Sequence, residues 1–495
     1  MAGHRFLAFD LGASGGRAIV GTLENNKISL DEVHRFPNGD VTINGHMYWP
    51  ILGIFRDIKQ GLCAYAAKYG KDVTAVGIDT WGVDFGLLDR EGQLLGNPYH
   101  YRDSRTDGME ERINRIIPKK ELYGRVGIQT AFFNTLLQLY SLVQKKHPSL
   151  DAAETMLFVP DLLNYFLTGE KISEFSIAST SQMYSCADGD WATDVLEKLG
   201  IPTRILPQVM APGTVVGKLL ESVAAETGMN AVPVVAPGEH DTASAVAAVP
   251  VLPGETNWCY LSSGTWSLLG MELAAPILST EAREANFTNE GGVDNTIRFL
   301  KNIMGMWLIQ QCRAAWLRKG ENNTWPELED MAAKAKPFVA FIDPNDDSFK
   351  APSSMPDAIL EFCRRTGQQL PQTKGEILRV ATESLALAYR EAVENMAAIT
   401  RTTIETIHIV GGGSKNALLN QMTADATGRR IVTGPVEATA LGNIMMQAIG
   451  MGVVGSISEA RQFIRNSIDL GVVEPGAKAP WDDAFARFKA IRNGR

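Results

Sequence analysis

Asp241 stands in the run Gly238-Glu239-His240-Asp241-Thr242, after apolar residues 232–235 and before the small-residue run 243–249. A carboxylate at the mouth of a helix can take the proton of a hydroxyl that is being phosphorylated. His240 and Thr242 flank it and could bind neighbouring hydroxyls. The same position also suits Asp241 or Thr242 as a plain helix N-cap. No HExxH motif occurs, and no Ser or Cys stands paired with a base.

A second candidate is Asp10-Leu11-Gly12-Ala13-Ser14-Gly15-Gly16-Arg17. Backbone N–H groups of such a turn can point at phosphate oxygens. A preceding carboxylate can hold Mg²⁺ through water. Glycines at 12, 15 and 16 would allow positive φ and close approach; an ordinary Gly-rich hairpin reads equally well. Neither a GxxxxGK[ST] loop nor GxGxxG is present here, and a strand rather than a helix should follow, against a dinucleotide fold. Ser262-Ser263-Gly264-Thr265 offers another set of small donors, and Gly411-Gly412-Gly413 bare backbone for a flat ring. Both also read as simple turns. Trp81-Gly82 is either a sugar-stacking face or a core tryptophan with a turn glycine. The stretch Tyr101-Arg102-Asp103-Ser104-Arg105 reads as a solvated, ion-paired turn. So does Asp343-Pro344-Asn345-Asp346-Asp347-Ser348, which lacks the glycine and final glutamate of a calcium loop.

The elements that must position these residues are legible in outline. Residues 6–9 and 17–23 read as two strands around the first turn, and 76–78 and 83–88 repeat the style. Residues 121–146 read as one helix, and 376–400 as a long amphipathic one with Ile377, Val380, Ala381, Leu385 and Ala388 at spacings of three and four. A strand at 406–410 precedes the three glycines, with a helix from Ala417. Pro250-Val251-Leu252-Pro253-Gly254 is the best hinge candidate. Each half opens on a small-residue hairpin, which suggests a duplicated architecture.

Composition bounds the rest. The chain has 495 residues, 45% hydrophobic and 21% charged, which excludes disordered and fibrous classes and suits two large domains. A net charge of −9 without a basic block argues against nucleic-acid and membrane-surface partners. Cys63, Cys186, Cys259, Cys312 and Cys363 form no CxxC pair, so a disulfide framework or structural zinc is not expected. No secretory leader and no run of about 18 uncharged apolar residues is seen. The expectation is a cytoplasmic protein without an obligate protein partner.

Taken in order, the motifs resemble the FGGY carbohydrate kinases, of the sugar kinase, actin and heat-shock ATPase superfamily. The resemblance spans nearly the whole chain. It is carried by DLGAS-x-GR at 10–17, GIDTWGVDF at 77–85, YRDSRT at 101–106, HDTASAV at 240–246, YLSSGTWSL at 260–268, TNEGG at 288–292, LKNIMG at 300–305, HIVGGG at 408–413 and GPVEA-x-x-LGN at 434–443. It implies an α/β protein of two ribonuclease-H-like (actin-like ATPase) domains, with ATP and sugar in an interdomain cleft. The expected boundaries are 1–248 for the sugar-binding domain, 249–450 for the nucleotide-binding domain and 451–495 for a helical tail. By resemblance Asp241 is the catalytic base, and Gly82, His240, Asp241, Thr242 and Asn302 are sugar contacts. Ala13, Ser14, Gly15, Gly16, Arg17, Thr265, Gln310 and Gly412 are ATP contacts, and Asp10 meets Mg²⁺ through water. The implied reaction is ATP-dependent phosphorylation of a ketose, L-rhamnulose at its 1-hydroxyl, with L-fuculose or xylulose as alternative substrates and a non-catalytic actin-like nucleotide switch as the alternative of another class. Three departures stand out: Gly15 where serine is expected, Gln138-Leu139 where many members carry a lysine and a tryptophan, and Gly82-Val83 in place of the charged pair that glycerol kinases use. The last argues against glycerol.

Overall fold

The structure, a computed structural model, describes residues 3–493. It divides into two compact units. The first comprises Met1–Pro253, Glu272–Phe299 and Ala438–Ile468, and the second Gly254–Met271, Leu300–Glu437 and Asp469–Arg495. The first crossing falls within the Pro250–Gly254 segment. The last 45 residues are shared: the helix Ile457–Arg465 belongs to the first unit and the helix Ala479–Asn493 to the second.

The first unit is built on a six-stranded sheet. Its strands are β1 (His4–Gly12), β2 (Gly15–Glu24), β3 (Lys27–Pro37), β4 (Ala75–Thr80), β5 (Thr214–Lys218) and β6 (Pro233–Ala236), in the order β3-β2-β1-β4-β6-β5. β1 runs antiparallel to β2 and parallel to β4, and β4 parallel to β6. Phe6, Leu7, Ala8 and Phe9 are all fully buried, as a strand covered on both faces requires. One cover is the helix Ile51–Tyr69, which buries Ile51, Ile54, Ile58, Leu62 and Tyr65 along a single stripe. Gly61 lies so close to Phe9 that an added Cβ would come within 2.6 Å of its ring. Gln447, on the helix Ala438–Gly450, reaches the Leu7 carbonyl at 3.2 Å from the other side. Emptying one of these buried aliphatic sites, as in Ile58→Ala, should cost about 2–5 kcal/mol.

The second unit repeats the plan. Its strands β7 (Trp258–Ser263), β8 (Trp266–Leu273, of which 272–273 fall in the first unit), β9 (Ile297–Met304, of which 297–299 fall in the first unit), β10 (Thr406–Val410), β11 (Arg430–Thr433) and β12 (Gly471–Val473) run in the order β9-β8-β7-β10-β11-β12. β7 is antiparallel to β8 and parallel to β10, and β10 is parallel to β11. The long helix spans Lys374–Thr400, begun by the Thr373 side chain accepting from the Glu376 N–H.

Several expectations need correction. Residues 121–146 are not one helix. The helix Lys119–Val126 stops at Gly127 in a left-handed conformation (φ 70°), and a second helix, Thr135–Gln144, starts after Asn134. Asn289 donates to the freed Gly127 carbonyl from both its backbone N–H and its side chain, at 3.0 and 2.9 Å. Gly12, Gly15 and Gly16 do not adopt positive φ. Gly16 is small for packing, since an added Cβ would meet the Leu11 side chain at 2.6 Å and would crowd the Phe36 ring. Asp103 and Arg105 are buried rather than solvated. The five thiols are free, and no helix among the described residues is long and apolar enough to cross a membrane.

Candidate functional site

In the first unit the sheet gathers three carboxylates. Asp10 and Asp79 are register partners on β1 and β4. Asp10 also faces Arg17 on β2, whose guanidinium lies 2.5 Å from its Oδ2. Asp79 is fully buried and accepts a 2.6 Å hydrogen bond from Asn443. Burial, then the charges of Asp10 and Asp241, hold its carboxyl well above the usual range. Its Oδ1 is buried without a hydrogen-bond partner. Asp79 was overlooked in the sequence, although a charged residue ending the buried run 75–80 was a usable signal.

Asp241 is the first residue of the helix Asp241–Ala247. His240 is the N-cap, and no side chain caps the end, so the expectation that Asp241 or Thr242 would do so is not met. The carboxylate is one-third exposed and accepts from the Thr242 hydroxyl at 3.1 Å. The loop before it is pinned from several sides. Thr80 N–H donates to the Glu239 carbonyl at 2.9 Å, and Ser244 Oγ to the Gly238 carbonyl at 2.7 Å. The N–H groups of Glu239 and His240 donate to Glu174 Oε2 and Ser176 Oγ at 3.2 and 3.1 Å. Beneath them Asp161, Glu174 and Glu239 are wholly buried together. Burial raises all three carboxyls; the charge of Asp161 adds to it at Glu174 and Glu239, whereas a hydrogen bond with Glu239 holds Asp161 down. A proton shared among them is the physical consequence.

Next to this loop lies Gly82, where a Cβ would sit 3.4 Å from both His240 Nε2 and Thr180. Val83 follows at φ 70°, a costly conformation for a β-branched residue. Thr135 Oγ1 holds it by donating to its carbonyl at 2.7 Å, and Thr180 Oγ1 by accepting from its N–H at 3.3 Å. Trp81 proves to be the core tryptophan, tilted over Trp49 at 4.0 Å between ring centroids. Asp84 accepts from Trp49 at 2.6 Å, Gln138 at 2.9 Å, and Trp81 and the Tyr101 N–H at 3.1 Å. Burial still pushes it up to about 6. Gln138 Oε1 in turn accepts from Arg105 at 2.5 Å, and Arg105 stacks over Tyr99 at 4.1 Å. The family departure at Gln138 thus has a local reason. An amide can donate to Asp84 and accept from Arg105, whereas a lysine has donors only.

Ala13 and Ser14 form the exposed two-residue tip of the β1–β2 hairpin, and Gly15 and Gly16 open β2. In the second unit Thr265 is an exposed turn residue whose hydroxyl lies 3.4 Å from Gln310 Oε1. Gln310 is in the first turn of the helix Trp307–Arg318. Its 3.2 Å partner pairs, Gly305 and Trp307 N–H to the Thr265 carbonyl, seat that helix on the hairpin. Gly412 follows β10, exposed, with nothing within 4 Å of where its Cβ would be. Gly413 is different, since a Cβ there would press into Ser263, 2.6 Å from its Cβ. Asn302 lies half-buried on β9, in the second unit rather than with His240. Among the described residues no group of three His, Cys, Asp or Glu side chains is arranged to hold a metal.

Residues 5–248 match the N-terminal domain and residues 259–451 the C-terminal domain of the FGGY family of carbohydrate kinases. The chain belongs to that family. It is 46% identical over 486 residues to the rhamnulokinase of Bacteroides thetaiotaomicron, covering 98% of this chain and 99% of that one. The rhamnulokinase of Bacillus subtilis is 39% identical, with 95% of both chains covered. The gluconate kinase of Lactobacillus acidophilus shares the fold at a TM-score of 0.82 and 18% identity, over 99% of this chain and 98% of that one. This FGGY kinase therefore has the duplicated α/β architecture and the sugar-kinase activity class that its motifs implied.

Proposed function

We propose that this FGGY kinase transfers the γ-phosphoryl group of ATP to the 1-hydroxyl of L-rhamnulose, yielding L-rhamnulose 1-phosphate and ADP, in the cytoplasm. The substrate is argued from relatives at 39–46% identity that bear the name rhamnulokinase. The chemistry is argued from one observation: Asp241 opens its helix without capping it, on a loop pinned by buried hydrogen bonds. A carboxylate so held accepts the hydroxyl proton late in transfer, and positioning supplies most of the rest. Gly82, His240, Thr242 and Asn302 are the further sugar contacts in this reading. Ala13, Ser14, Gly15, Gly16 and Arg17 in the first unit, and Thr265, Gln310 and Gly412 in the second, are the nucleotide contacts.

The residues around Asp10 fit a divalent cation. Asp79, the register partner of Asp10, keeps a buried Oδ1 without a hydrogen-bond partner, an acceptor left open for water bound to a cation. Asp10 would hold Mg²⁺ through water, and the ion would supply charge neutralisation on the phosphates. The deciding experiment is ADP release with Mg²⁺-ATP against L-rhamnulose, L-fuculose, xylulose, glycerol and no sugar. Release that depends on L-rhamnulose well above the others is expected. An equal response to every ketose would overturn the substrate assignment.

A further inference from the structure

His240 lies between two buried charges that no step above uses. Arg298 is fully buried, and its Nε donates to the Gly291 carbonyl at 2.8 Å, which fixes the plane of the guanidinium. Its NH2 then lies 3.0 Å from His240 Nδ1. Glu290 Oε2 is 3.3 Å from the same Nδ1 and 3.2 Å from that NH2. A guanidinium has donors and no acceptor, so the ring nitrogen facing it at this distance must offer its lone pair. A proton on Nδ1 would face the N–H of Arg298 at 3.0 Å, and the acceptor that competes for it, Glu290 Oε2, lies farther off at 3.3 Å. Arg298 is held in place by its Nε bond to the Gly291 carbonyl, and no solvent reaches it. The imidazole proton therefore belongs on Nε2. That atom looks out over Gly82 and lies 3.5 Å from Asp241 Oδ1.

We infer that Arg298 fixes His240 as the Nε2–H tautomer and so makes it a hydrogen-bond donor to the sugar beside the accepting carboxylate of Asp241. This rests on the kinase reading above. The two groups make a complementary pair: Asp241 takes the proton of the hydroxyl that is phosphorylated, and His240 donates to an oxygen on the neighbouring carbon. Arg298 is a positioning residue acting through His240. Glu290 supplies the countercharge that lets a guanidinium stay buried there.

The tautomer can be read without any substrate. Nitrogen-15 NMR of histidine-labelled protein, with His240 assigned by its loss in His240→Gln, distinguishes the two forms. The expected state is Nε2–H in the wild type, moving to Nδ1–H paired with Glu290 in Arg298→Met. Nδ1–H in the wild type overturns the inference, as does an unchanged tautomer in a folded Arg298→Met. Should that variant not fold, the wild-type spectrum and two further variants decide. His240→Gln keeps an N–H donor near Nε2, and His240→Leu keeps none. The ketose KM of the Leu variant should exceed that of the Gln variant by about tenfold, the worth of one hydrogen bond, with the ATP KM alike in both. Equal ketose KM values in the two overturn the donor role. If no ketose is turned over by any form, the kinase reading fails, while the tautomer result still stands or falls by the spectra.

Discussion

In the first unit the order β3-β2-β1-β4-β6-β5, and in the second β9-β8-β7-β10-β11-β12, set a hairpin beside parallel strands in the same sense. What differs is the residue at the end of each strand. In the first unit β1 and β4 end near Asp10 and Asp79, and the loop after β6 delivers Asp241. At the matching places of the second unit stand Ser262-Ser263-Gly264-Thr265 at the end of β7 and three glycines after β10, and Gly434-Pro435 follows β11. One topology thus presents a carboxylate cluster and, separately, a neutral small-residue platform. The fold supplies places, and the side chains at those places decide whether they take a proton and a cation or lie flat under a ligand.

The sharpest way to break this comparison is Asp241→Asn. Turnover should fall by about 10²–10⁴-fold if the carboxylate is the base. The melting temperature should barely move, because Asp241 caps nothing and is one-third exposed. Near-normal turnover would remove the functional contrast between the units.

Next in size is a pair of changes on the neutral platform. Gly413→Ala forces a Cβ against Ser263, 3.0 Å from its carbonyl oxygen and 2.6 Å from its Cβ, and should destabilise the second unit by about 1–3 kcal/mol. Gly412→Ala adds a methyl to open space, so its melting temperature should match the wild type while the ATP KM rises severalfold. Thermal melts and ATP titrations separate the two. An unchanged ATP KM in Gly412→Ala would argue that this backbone carries no nucleotide.

The smallest expected effect concerns pH. Asp84 and Asp161 are raised to about 6 and Glu174 to about 7, each first of all by burial. The folded first unit therefore binds protons more tightly than the unfolded chain. Its stability is fully present below the ordinary carboxylate range and is lost as pH rises through these raised values. In the second unit Glu383, raised to about 6 by burial, is the comparable group. Melting curves between pH 4.5 and 8 should show stability declining as pH rises. Glu239→Gln, which mimics the protonated acid toward Asp161, should flatten that decline. An undiminished slope in the variant would mean that the buried trio does not share a proton.

Much of this molecule is local and was therefore legible. The β1–β2 hairpin, the helix Lys374–Thr400 and the loop that presents Asp241 follow from turn residues and from apolar spacings of two, three and four. The helix break at Gly127 escaped because the apolar spacing continues on both sides of it. The burial of Asp103 and Arg105 escaped because a charged run looks solvated until its partners are known.

The sequence by itself determined the duplicated small-residue turns, the carboxylates at strand ends and the family, since these depend on neighbours along the chain. Only the tertiary structure decided which charges meet. Asp79 finds Asn443 across 364 positions and His240 finds Arg298 across 58. Asp161, Glu174 and Glu239 converge from three separate segments. A buried polar group is stable only with its partner in place, and that partner is chosen by the packing of sheet and helix, which no local pattern encodes.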